Sequence, residues 1–148
     1  MCKTMIIKTN FVCLFTLCLF VISCSKDEKF DLNKYPQKWQ LIKMNGQIPN
    51  SETTGKDMDW QEYYLLNSDG TFTKHREIGE KITEISGIFI YKDLSDGKYI
   101  EFNYKVENEI IGSCSSKLSE VLRVKSESKL LGTWLACDGP ELEYDRFH

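Results

Sequence analysis

The sequence predicts an all-β fold, a single antiparallel meander of about eight strands closed as an up-and-down β-barrel. Three observations carry this reading. Turn signals recur at short intervals from Asn45-Gly46 to Cys137-Asp138-Gly139-Pro140. The segments between them are rich in β-branched and aromatic residues and alternate in polarity, which places successive side chains on opposite sheet faces. No stretch after residue 36 has apolar residues at the 3.6-residue spacing of an amphipathic helix of useful length. Hairpin links throughout favour closure, because a barrel leaves no sheet edge unpaired.

In chain order, Trp39, Leu41 and Lys43 alternate with Gln40, Ile42 and Met44 as a first strand that ends at Asn45-Gly46. Residues 49–56 read as a loop. The clearest hairpin follows. Trp60 to Leu66 and Thr71 to Arg76 flank Asn67-Ser68-Asp69-Gly70, where the glycine supplies positive φ. A turn at Gly79-Glu80-Lys81 leads into Ile82–Tyr91, in which Gly87 suggests a bulge or bend. After Ser95-Asp96-Gly97-Lys98, the strand Tyr99–Tyr104 sets Ile100, Phe102 and Tyr104 on one face. Ile110-Ile111 is a short apolar piece in a weak segment. Glu120–Val124 and Leu130–Leu135 are strand-like, and Leu142, Tyr144 and Arg146 alternate in the last strand.

The amino terminus is of a different kind. Phe11 to Ile22 is almost wholly apolar, Lys3 and Lys8 precede it, and the first acid is Asp27. A basic start, a short apolar run and small residues at its end describe a secretory signal peptide. The run is shorter than the roughly 20 residues of a membrane-spanning helix. Val21-Ile22-Ser23-Cys24 resembles the lipobox of bacterial lipoproteins. That resemblance implies cleavage between Ser23 and Cys24, acyl chains on Cys24, and anchorage in the outer membrane. Two or three chains are needed, since one acyl chain holds a protein only reversibly. Lys26-Asp27-Glu28 resembles the export signal that sends lipoproteins to the cell surface in some Gram-negative bacteria. Residues 1–23 are then the removed leader, 24–36 the lipidated end and tether, and 37–148 the barrel domain.

The leader carries two of the 19 basic residues and none of the 22 acidic ones, so the mature chain has a formal charge of −5. A mildly acidic chain without a basic patch argues against nucleic acid as a partner. Removing residues 1–23 takes away Cys2, Cys13 and Cys18, and lipidation uses Cys24, which leaves Cys114 and Cys137. Two cysteines in an exported chain read first as one disulfide. Two free thiols or half of a metal site are the rivals, and neither cysteine has a nearby histidine in sequence.

Trp39, Tyr64-x-Leu66, Asp69-Gly70-Thr71-Phe72 and Ser86-Gly87-Ile88-Phe89 together resemble the lipocalin-like lipoproteins of Gram-negative bacteria. Typical lipocalins open on Gly-x-Trp, whereas Gln37-Lys38 precede Trp39 here. The resemblance implies a lipocalin-like barrel. Tyr64, Phe72, Phe89, Tyr91, Phe102 and Tyr104 fall on lumen-facing positions, where they either fill the core or line a cavity for a small apolar or amphipathic ligand. A packed barrel would instead engage an envelope protein or a glycan, with Trp60 and Trp134 near a rim.

No catalytic constellation is visible, and none of the motifs for a nucleophile, a phosphate or a metal occurs. The expectation is a non-enzyme without cofactor or metal. His75 sits between Lys74 and Arg76, which reads as a solvated strand face. Asp57 and Asp59 flank Met58 in a polar loop without the further oxygens a calcium site requires. One prediction follows from the amino terminus alone. Cys24→Ala should abolish metabolic labelling with radioactive palmitate and move the protein out of the membrane fraction; unchanged labelling would overturn the lipobox reading.

Overall fold

The computed structural model describes residues 33–115 and 117–147. The leader 1–23, the cleavage pair Ser23 and Cys24, and the export-like Lys26, Asp27 and Glu28 lie outside the described residues. Nine strands follow in order: β1 Gln37–Asn45, β2 Thr53–Thr54, β3 Gln61–Leu66, β4 Thr71–Ile78, β5 Lys81–Leu94, β6 Gly97–Tyr104, β7 Ser119–Ser126, β8 Lys129–Gly132 and β9 Glu141–Phe147. From β3 onward each strand pairs antiparallel with the next, and β1 pairs with β3 on one side and β9 on the other. Eight strands thus close an up-and-down barrel. The two-residue β2 is an addition to the expected count, clipped to the end of β1 at Lys43 and Met44.

Alternation decides what enters the lumen. Tyr64 pairs with Lys74 and Leu66 with Phe72, so 62, 64 and 66 on β3 and 72, 74 and 76 on β4 all face inward. The β3–β4 turn is held by Asp69, whose carboxylate accepts from the Thr71 amide at 2.9 Å and its hydroxyl at 2.6 Å. Gly70 takes φ +81° there, as the turn requires. In β1 the register slips between Leu41 and Lys43. The extra residue at Ile42 is a bulge, and it brings Met44 onto the same buried face as Trp39 and Leu41.

Two other expectations are corrected. Gly87 interrupts neither ladder of β5. It is a point of close approach: a Cβ there would lie 2.0 Å from the Asn103 carbonyl oxygen and 2.9 Å from the Phe72 ring. The strand expected at Leu130–Leu135 stops at Gly132, and Trp134–Cys137 forms a 3-10 turn.

The lumen is filled. Trp39, Tyr64, Leu66, Phe72, Ile100, Phe102, Leu130 and Tyr144 have no exposed surface. Their rings interlock. Tyr64 stacks on Phe102 at 4.6 Å between centroids, and Phe72 meets Phe102 and Tyr104 edge-on at 4.8 and 5.0 Å. Such pairings add to the burial of apolar area.

The two barrel ends differ. At the first end the chain enters through Lys34, Tyr35 and Pro36. The Lys34 carbonyl accepts from Arg146 at 2.6 Å, and the Tyr35 ring lies 6.2 Å from Phe89. Beside them the β5–β6 hairpin runs on past the end of β4, with β7 alongside it as far as Val124 opposite Lys98. The β4 partner of β5 ends with Thr71 opposite Ile88, while pairing with β6 runs on to Leu94 opposite Gly97. The second end is covered by loop 105–118 and the Trp134–Cys137 turn. Cys114 and Cys137 form a disulfide with Cα atoms 5.5 Å apart, which joins these two segments.

Gly87→Ala should destabilise the domain by about 3 kcal/mol, because the new methyl meets backbone rather than a flexible side chain. Urea unfolding is expected to show a lower midpoint at unchanged slope; a midpoint within error of the parent would contradict the packing described here.

Candidate functional site

The charged run Lys74-His75-Arg76 splits by parity. His75 faces outward, stacked on Tyr63 with centroids 4.6 Å apart and with Nδ1 3.0 Å from Glu84. Lys74 and Arg76 face the lumen and are 0 % and 5 % exposed, so the expected solvated face is overturned for both. Their neighbours explain how they are tolerated. Glu62 is the cross-strand partner of Arg76, and Glu120 enters from β7. Both carboxylates are buried.

The Lys74 ammonium donates to Glu120 Oε2 at 2.8 Å and Oε1 at 3.1 Å, and to the Ile110 carbonyl at 2.7 Å. Glu62 Oε1 lies 3.3 Å from the same nitrogen. Arg76 Nε donates to Glu62 Oε2. The Tyr144 hydroxyl donates to Glu62 at 2.6 Å, and Tyr104 donates to Glu120 at 2.7 Å. Two cations thus face two carboxylates, and two phenols cap them. The Arg76 guanidinium lies 4.2 Å above the Trp60 ring, a cation–π contact at the second barrel end.

Burial moves the phenols. Tyr64, Tyr104 and Tyr144 all have pKa values well above the ordinary 10. Desolvation is the main cause in each, and the nearby Glu120 and Glu62 charges add to it. Burial opposes the charge of Arg76, yet Glu62 outweighs it and the net shift is upward.

The carboxylate oxygens are spent within the cluster, whereas Arg76 Nη2 is buried without a hydrogen-bond partner. Both oxygens of each carboxylate accept from a cation or a phenol, so neither is set to act as a general base on an outside molecule. What the cluster does is mechanical. It joins β3, β4, β6, β7 and β9 to loop 105–118 through Ile110, whose side chain is also buried. The loop works as a plug, held further by the Lys81–Glu109 ion pair and the disulfide. Trp134 packs between Gly112 and Gly139 above it.

Of the expected ligand-lining residues, Tyr64, Phe72, Phe89, Phe102 and Tyr104 are brought together, packed against one another in the core. Tyr91 stands apart. It is 44 % exposed at the first barrel end, with its hydroxyl 3.4 Å from Gln37. Two hollows lie at the second barrel end, one of them at the mouth of the lumen beside the buried Arg76 and Ile110. A recess of about 380 Å³ at the second end is bordered by Arg76, Ile78, Lys81, Thr83, Glu109 and Ile110. An open depression of about 660 Å³ runs along loop 105–118, from Glu107 to Lys117. Among the described residues no three His, Cys, Asp or Glu side chains converge as metal ligands.

Glu62, Lys74, Arg76, Glu120 and Tyr144 were not singled out by the sequence as a site. The available signal was register, since Lys74 lies two residues beyond Phe72 on the same face. Fold and site together define a closed eight-stranded up-and-down β-barrel with a filled lumen. Comparisons with protein-family models, curated proteins and solved structures find no match to this chain.

The three buried phenols make stability depend on alkaline pH. They ionise near pH 10 when unfolded and higher when folded, so their contribution to stability is constant below about 10 and falls above it. The loss is about 1.4 kcal/mol per pH unit for each phenol held protonated. Tyrosinate absorbance of Tyr64, Tyr104 and Tyr144 should therefore appear only together with unfolding; gradual ionisation in the folded protein would refute their burial.

Proposed function

We propose that this protein is a lipid-anchored lipoprotein of the bacterial outer membrane whose packed, lipocalin-like barrel serves as an interaction module for another envelope protein. The filled lumen is the observation that carries this reading. A carrier of a small apolar molecule needs an enclosed cavity of about 300 Å³ or more. Here that space is taken by aromatic rings and by the Lys74 cluster. The reading that the barrel holds an amphipathic ligand is the weaker for it.

Recognition then falls to the outer surface. Ile48, Ile78, Ile82, Val106, Leu118 and Leu135 are exposed on the loops and strand ends of the second barrel end. They come from four segments that share this end, and exposed apolar surface gathered on one face is a mark of a protein contact. They are all aliphatic, whereas a glycan is best met by an open aromatic platform. Trp60 lies under Arg76, and Trp134 is clamped between Gly112 and Gly139. Those positions favour a protein over a glycan partner. The amino-terminal anchor rests on Val21-Ile22-Ser23-Cys24, and outward display on Lys26-Asp27-Glu28.

Native mass spectrometry of the protein purified from its own host should give the mass of the acylated chain alone. A photo-activatable residue at Ile48 or Ile82 in intact cells should trap one discrete protein, and the same residue at Thr73 on the barrel side should not. A small molecule retained until denaturation would restore the carrier reading, and equal trapping at all three positions would remove the specific surface.

A further inference from the structure

The first barrel end has an apolar rim of its own. Leu94 is 53 % exposed at the tip of the β5–β6 hairpin, with Ile90 at 45 % on the same face two pleat repeats below. Phe147, 53 % exposed, ends β9 on the opposite side of the barrel. Tyr91 lies between them with its ring half in solvent and its hydroxyl on Gln37. The polar groups around the hairpin are mixed in sign. Lys92 is paired with Glu101, and Asp93, Asp96 and Lys98 surround the tip.

The chain enters the barrel at this same end, against Tyr91, Phe89 and Arg146. Eight residues lie between Cys24 and Asn33. Fully extended they span at most about 30 Å, and any less extended path brings the rim closer to the anchor point. The second end is farther by the length of the barrel. The six-residue β3 and eight-residue β4 span it, roughly 20 Å or more along the strands.

From these placements we infer that the rim formed by Ile90, Tyr91, Leu94 and Phe147 rests on the lipid bilayer itself. The inference rests on the lipoprotein reading of Cys24 and extends it, since it fixes which end faces lipid. Tyrosine suits the boundary, because its ring accepts apolar surroundings while its hydroxyl stays hydrogen-bonded. The mixed charge makes the contact apolar in character and weakly dependent on salt. Lipid on the first end leaves the second end pointing away from the membrane.

The test uses the acylated protein purified in detergent from its host and reconstituted into vesicles of phosphatidylethanolamine and phosphatidylglycerol carrying a photo-activatable phospholipid. Cross-linked peptides are mapped by mass spectrometry, and the mass of the amino-terminal peptide reports lipidation of Cys24. Cross-links at residues 90–94 and 147 support the proposal. The double variant Ile90→Thr, Leu94→Gln alters exposed side chains only and sets no new charge opposite Glu101, the cross-strand partner of Ile90. It should cut those cross-links about tenfold at unchanged melting temperature. Cross-links concentrated at Ile48, Ile82 or Val106 would reverse the orientation and overturn the proposal. A lipidated Cys24 with no cross-link at either end would overturn the rim contact and leave the anchor standing. An unmodified Cys24 would overturn both.

Discussion

The buried ammonium of Lys74 is the constraint on which the rest of this barrel depends. A lone charge taken out of water is costly, and it persists only where the surroundings neutralise and hydrogen-bond it. Here the answer comes from every side: Glu120 from β7, Glu62 from β3 and the Ile110 carbonyl from the covering loop. Each carboxylate in turn needs its own partners, and Arg76, Tyr144 and Tyr104 provide them. A chain of necessity thus runs from one side chain to five strands and a loop. Such a cluster adds little net stability over an apolar filling. Its effect is on specificity, since a one-residue slip of β3 or β4 would turn one carboxylate or both cations to the wrong face.

The same cluster explains why the lumen is closed. A barrel of eight strands has room for either side chains or one small ligand. The aromatic layer of Tyr64, Phe72 and Phe102 takes the middle, and the ionic layer with Ile110 takes the second end. Loop 105–118 is drawn in by Lys74 and then locked by the Cys114–Cys137 bond. In the loop-entropy picture that bond is worth roughly 3 kcal/mol. It acts on the segment with the weakest secondary structure of its own.

The fold was largely legible because period-two patterning and turn chemistry are local. Asn67-Ser68-Asp69-Gly70, the Ile100-Phe102-Tyr104 face and the Leu142-Tyr144 pair each carry their meaning within a few residues. What failed were features that depend on distant partners. Lys74 and Arg76 look solvated until Glu62 and Glu120 are placed across the lumen from them. Gly87 looks like a bulge until Asn103 and Phe72 are seen to need its missing side chain. Ile110 carries no periodic signal, because a plug residue belongs to no strand. Met44 was hidden by a bulge that no residue type announces. The disulfide was readable by count, since only two cysteines remain once the leader and Cys24 are set aside.

A filled barrel has two ends and a wall with which to act, and the ends of this one are unlike in construction. The first is open to the entering chain and carries the β5–β6 hairpin past the end of β4. The second is sealed by a loop, a disulfide and an ionic cluster that holds them in register. Rigidity of that kind is what a recognition surface needs, because a fixed surface loses less entropy on binding than a mobile one. The exposed aliphatic residues Ile48, Ile78 and Ile82 are therefore carried by the most heavily braced part of the molecule. A ligand carrier would be built the other way, with its bracing around a cavity and its loops free to admit a guest. The bracing of this barrel, more than any single residue, is what favours the interaction reading proposed above.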